Sequence, residues 1–71
     1  MLNPLNINFG KRIKKLRQKH GVTQEKLAEL TKTSYKYIQR IEGKNPPDIR
    51  ITTAKRIADA LKITLSKLLN F

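Results

Sequence analysis

Tyr35, Lys36, Gln39 and Arg40 bring two cations, an amide and a phenol together within six residues. Ile38 lies among them and Ile41 directly after, at the spacing of one helical face. On a wheel of about 3.6 residues per turn the isoleucines face one way. Lys36, Gln39, Arg40 and Gly43 face the other, with Tyr35 and Tyr37 at the margins. A short helix that buries two isoleucines and turns such side chains outward suits a polar, anionic surface. The planar fork of Arg40 matches guanine O6 and N7, and Lys36 offers the same charge with looser geometry. Gln39 has the donor and acceptor needed for adenine, or is simply solvated. Tyr35 and Tyr37 can lie on a thymine methyl or donate to a phosphate; the alternative for each, Tyr37 above all, is partial burial against the domain's own surface. The expectation is a DNA-recognition helix.

Other chemistries lack their residues. There is one histidine, no cysteine, and five carboxylates, Glu25, Glu29, Glu42, Asp48 and Asp59, scattered along the chain. That set supplies neither a nucleophile with its base nor paired acids, so no enzyme, metal site or cofactor is expected. Sixteen Lys and Arg give a net charge of +11. Such an excess repels itself and favours polyanions, nucleic acid before acidic membranes. A membrane-surface role is the poorer choice, since the apolar faces are needed for a core and no tryptophan is present as an anchor. No apolar run is long enough to span a bilayer and the N-terminal residues lack a secretory signal's apolar segment, so a cytoplasmic location is expected.

The elements that would position the recognition face follow from periodicity and caps. Residues 1–6, with Pro4, are expected to form a flexible arm. The single domain then spans 7–71, with helices over about 7–20, 23–31, 34–42, 51–61 and 64–69. Phe9, Ile13 and Leu16 form the stripe of the first helix, and Gly21 is the left-handed residue that ends it. Lys11, Arg12, Lys14, Lys15 and Lys19 fill its solvated face, and His20 is a favourable last-turn residue. Thr23, Ser34 and Thr64 are N-caps, and Val22 with Leu27 and Ile63 with Leu68 are hydrophobic staples. Gly43 to Asp48 reads as a loop. The predicted core is Phe9, Ile13, Leu16, Leu27, Leu30, Ile38, Ile41, Ile51, Ile57, Leu61 and Leu68. This is a compact all-α, five-helix architecture. The apolar end, Leu68, Leu69 and Phe71, exceeds what closing a core needs and is a candidate dimer contact.

In its order and spacing the chain resembles the Cro and phage-repressor helix-turn-helix regulators, the XRE-like family. The resemblance rests on Phe9-Gly10-Lys11-Arg12-Ile13-Lys14-Lys15-Leu16-Arg17, Gly21-Val22-Thr23-Gln24-Glu25-Lys26-Leu27-Ala28, Thr33-Ser34, Ile38, Ile41-Glu42-Gly43, Ile57-Ala58, Ala60-Leu61, and Leu65 to Leu69. It implies a repressor-like domain that binds double-stranded DNA at a palindromic operator as a homodimer. Tyr35, Lys36 and Arg40 match base-reading positions, with Gln39 beside them. Gln24 resembles the glutamine that holds a backbone phosphate and braces the recognition helix. Thr33, Ser34, Tyr37, Lys44 and Asn45 fall where the family grips the DNA backbone, and Arg17 with Glu42 resembles a structural salt bridge. Three positions depart from the pattern: Lys32 stands where a turn glycine is usual, Gly43 follows Glu42 directly, and Arg50 replaces the serine before the fourth helix. No small-molecule effector domain is recognisable. A protein-interaction adaptor on the same fold, a coactivator or antitoxin-like partner, is the alternative function.

Overall fold

The computed structural model describes residues 3–71; Met1 and Leu2, part of the expected arm, lie outside the described residues. The chain forms α1 (Pro4–Lys19), α2 (Gln24–Thr31), α3 (Tyr35–Ile41), α4 (Ile51–Ala60) and α5 (Leu65–Leu68), with no strand among the described residues. Side-chain hydroxyls start three of these helices. Thr23 Oγ1 accepts from the Lys26 N–H at 3.0 Å, Ser34 Oγ from the Tyr37 N–H at 3.0 Å, and Thr64 Oγ1 from the Lys67 N–H at 3.1 Å. Each satisfies a backbone donor that a helix start would leave orphaned.

The start of α1 differs from expectation. It begins at Pro4, so residues 4–6 are helical and not part of an arm, because Pro4 sits at the first helical position. A proline there gives up no hydrogen bond, and its fixed φ suits the helix. Asn3 is the cap, its Oδ1 accepting from the Leu5 N–H at 2.9 Å and the Asn6 N–H at 3.4 Å. Asn6 is instead a side-chain tether, donating from Nδ2 to Asp48 Oδ1 at 2.6 Å. α4 has Arg50 as its cap residue and no side-chain cap bond.

Three helices end alike. The Val22, Thr33 and Ile63 N–H groups donate back to the Arg17, Ala28 and Ala58 carbonyls at 3.0, 2.9 and 3.0 Å. Such an ending needs a left-handed residue just before the donor. Gly21 supplies it at φ 68°, but the other two are Lys32 and Lys62, both at φ 57°. Lys32 therefore adopts the conformation for which the family uses glycine, at a cost of about 1–2 kcal/mol for its Cβ.

The core joins all five helices: Phe9, Ile13, Leu16, Leu27, Ala28, Ile38, Ile41, Ala54, Ile57, Ala58, Leu61 and Leu68 are buried. Two expected members are not. Leu30 is 46% exposed, because α2 turns Leu27, Ala28 and Thr31 inward. Thr31, fully buried, is tolerated there because its hydroxyl donates to the Leu27 carbonyl at 2.7 Å. Ile51 is 62% exposed, since it is the first residue of α4 and the inward stripe begins one turn later at Ala54, while Ile49 packs on the core from the loop. Across the other side of α1, Phe71 stacks on Phe9 with centroids 5.3 Å apart, and Arg12 donates from Nη2 to the Lys67 carbonyl at 2.9 Å.

Where α1 crosses α3 the two backbones nearly touch. A Cβ placed on Gly10 would lie 2.0 Å from the Ile41 carbonyl oxygen, well inside van der Waals contact. Only glycine admits this approach, which fixes how far α3 stands from the long helix.

Candidate nucleic-acid interface

α3 owes its pose to one carboxylate. Glu42 closes the helix, and its side chain is 2% exposed. Arg17 of α1 meets it in a two-pronged ion pair, Nε to Oε2 at 2.8 Å and Nη2 to Oε1 at 2.9 Å, while Nη1 donates to the Val22 carbonyl at 2.8 Å. Gln24 of α2 adds a third donor, Nε2 to Oε1 at 3.0 Å. A buried carboxylate is tolerable only when fully paired, and this one collects donors from both helices that precede α3. The hydrogen bond to Glu42 and its negative charge raise the Arg17 pKa above its ordinary value against the opposing effect of burial.

With its inner side fixed, α3 turns Tyr35, Lys36, Gln39 and Arg40 to solvent on one exposed ridge. Tyr35 and Gln39, one turn apart, are joined: Gln39 Nε2 donates to the Tyr35 hydroxyl at 3.0 Å. Tyr37 points the other way. It is half-buried and packs on the core, as its alternative reading has it.

The residues expected at the DNA backbone divide by the state of their polar groups. Ser34 accepts the cap bond and keeps its hydroxyl proton free and exposed. Lys44 and Asn45 stand exposed in the loop after α3. Thr33 is committed inward. Its hydroxyl lies 2.9 Å from Thr31 Oγ1, and Thr31 already spends its proton on Leu27, so Thr33 is the donor of that pair. The Thr33 backbone N–H is also taken, by Ala28. A phosphate contact from Thr33 would have to break one of these bonds. Gln24 likewise spends an amide proton on Glu42 and is half-buried, which makes it a brace of α3.

The apolar C-terminal residues also divide. Leu68 is fully buried in the core and offers no surface to a second chain, because its staple position under Ile63 turns it inward. Leu69 and Phe71 remain 41% and 48% exposed. Sequence reasoning had Gln24 bracing the recognition helix without naming Glu42 as its partner, and it did not foresee the Tyr35–Gln39 bond or the Thr31–Thr33 pair. An i,i+4 spacing of two polar residues on the outer face of α3 was a signal for the second.

The helix-turn-helix family profile matches residues 13–68, from the centre of α1 to the end of α5. The chain belongs to the helix-turn-helix family, in its XRE-type branch. Among solved structures, this helix-turn-helix chain is similar to the restriction-modification controller protein C.AhdI of Aeromonas hydrophila. Identity is 28% and the TM-score 0.82, over 89% of this chain and 94% of that one. The controller protein C.Esp1396I bound to a 19 base pair DNA duplex also matches at 28% identity and TM-score 0.82, over 94% and 92% of the two chains. The SinR protein in complex with SinI matches at 26% identity and TM-score 0.78, over 87% of this chain and 60% of that one. No curated protein matches significantly. Among the described residues, no helix is long and apolar enough to cross a membrane.

Proposed function

We propose that this chain is a sequence-specific transcription regulator of double-stranded DNA, a repressor that occupies a palindromic operator as a homodimer. Tyr35, Lys36, Gln39 and Arg40 enter the major groove and meet base edges. Ser34, Lys44 and Asn45 hold phosphates, and the N-terminus of α2 beside Gln24 faces the backbone. Phosphate contacts set position and base edges set sequence. The observation that carries this reading is the exposed ridge on α3, mounted on a helix whose opposite face is buried and whose end is fixed through Glu42. The net charge of +11 supports it, and so does the likeness to a controller protein bound to a duplex.

One ridge reads too few base pairs to select a site in a genome, and two-fold pairing doubles the reading. Leu69 and Phe71 are the surfaces proposed for that pairing. The chain acts in the cytoplasm, with its DNA. Selection of bound sequences from a random duplex pool tests the whole reading. A consensus with two-fold symmetry is expected; a pool with no enriched sequence overturns it. An adaptor role would draw on the same exposed Leu69 and Phe71 and would appear as salt-insensitive protein capture without duplex binding.

A further inference from the structure

The bond between Gln39 and Tyr35 orients an amide that would otherwise rotate freely. An exposed glutamine can present either its oxygen or its nitrogen to a base, and the two choices read different sequences. With Nε2 donating sideways to the Tyr35 hydroxyl, one amide proton is spent within the helix. Two groups stay free for a ligand, the second Nε2 proton and the Oε1 acceptor. Side by side, a donor and an acceptor are the complement of adenine, whose major-groove edge offers N7 as acceptor and N6–H as donor. Guanine, with acceptors at both N7 and O6, would set Gln39 Oε1 against its own O6. The opposite amide orientation, with Tyr35 donating to Oε1, would present two amide protons and favour guanine.

The geometry points to Tyr35 as a positioning residue that holds Gln39 as a reader of adenine in each half-site. Tyr35 is 43% exposed and is not one of the buried core residues. Neither residue belongs to the Arg17–Gln24–Glu42 cluster, so both can be changed without loosening α3. The assignment deepens the proposed function and rests on it.

The test uses the full chain and duplexes built on its selected operator. Each half-site position is changed in turn, and affinities are measured by fluorescence anisotropy at fixed salt. One adenine is expected to be worth roughly 5- to 150-fold over guanine at the same position, the range of a good two-bond contact. Gln39→Ala should abolish that preference and no other. Tyr35→Phe, which keeps the ring and removes the hydroxyl, should shrink that preference severalfold more than it weakens binding to random duplex, with the melting temperature unchanged.

The outcomes separate. A guanine preference that Gln39→Ala removes would mean the amide is held the other way, and overturns the inference. An adenine preference untouched by Tyr35→Phe, or a uniform loss at every position, makes Tyr35 a helix-stabilising neighbour only, and overturns it too. Selective operator binding with no position sensitive to Gln39 rejects this inference while the proposed function stands. Absence of any selective binding rejects the proposed function itself.

Discussion

Replacing Gly10 with alanine sets two effects of opposite sign against each other in one residue. Within α1 the change should help, since glycine in a helix interior costs about 0.5–1 kcal/mol relative to alanine. On a solvent-facing turn that gain would be seen. Gly10 is buried, however, and the new Cβ would lie 2.0 Å from the Ile41 carbonyl oxygen. The obstacle is backbone, so no side-chain rotation relieves it. To restore ordinary contact α1 and α3 must move apart by more than 1 Å, an estimate that takes a carbon–oxygen contact as about 3.3 Å. Ile13, Ile38 and Ile41 then lose contacts across the gap, and the Arg17–Glu42 bonds stretch. Overpacking of this kind costs about 1–3 kcal/mol, occasionally more. The expected net is a loss of about 1–2 kcal/mol, and a Tm lower by roughly 4–15 °C at the sensitivity of domains this size. Urea unfolding and thermal melting, each followed by circular dichroism, read the two values. A Gly10→Ala protein as stable as the parent would mean the crossing is soft, and would remove the argument that this glycine sets the stand-off of α3.

Glu42→Ala should cost about 3–5 kcal/mol in urea unfolding, because it strands the Arg17 guanidinium and the Gln24 amide in a buried place. The paired change Arg17→Met with Glu42→Leu should cost much less, and equal losses would deny the bridge its role. The Arg17 end does not limit this effect with pH: its raised pKa keeps the cation, and so the pair, present as pH rises through the neutral and mildly alkaline range. Lys32→Gly should stabilise by up to about 1 kcal/mol, the relief of left-handed strain less the extra freedom of an unfolded glycine, measurable as a raised urea midpoint. Arg50→Ser should add about 1 kcal/mol by giving α4 the side-chain cap it lacks, visible as a higher Tm; no change would mean that the first-turn N–H groups are already satisfied by water. Arg40→Ala should weaken operator binding far more than random-duplex binding, while Lys44→Ala weakens both alike and flattens the log–log salt slope by up to about 0.9.

The caps show what is readable in such a chain. Thr23, Ser34 and Thr64 act locally, through a hydroxyl and a backbone N–H three residues on, so the sequence alone placed the starts of α2, α3 and α5. Pro4 misled because the same residue breaks a helix interior and opens a helix start, and only the cap at Asn3 decides between them. Leu30 and Ile51 misled for another reason. Helical periodicity finds a stripe, but which edge of the stripe lies under a neighbouring helix depends on the packing of α2 against α4, which no local pattern encodes. The ridge on α3 was legible because Ile38 and Ile41, three residues apart, define the inward face and so the outward one. The bonds that set its chemistry, Gln39 to Tyr35 and Gln24 to Glu42, were not, since several partners were within reach of each amide. Leu68 and Phe71 looked alike as apolar C-terminal residues, and only the helix under them separates a buried side chain from an exposed one.

The meeting of Arg17 and Gln24 at Glu42, with the Val22 carbonyl holding the far side of Arg17, has a mechanical corollary. A helix anchored to two neighbours through a single buried acid has no private swivel, so α1, α2 and α3 tilt together or not at all. In the dimer proposed above, a half-site shifted or twisted along the duplex has to be met by the long lysines and arginines at the surface, or by a change in how one subunit is set against the next.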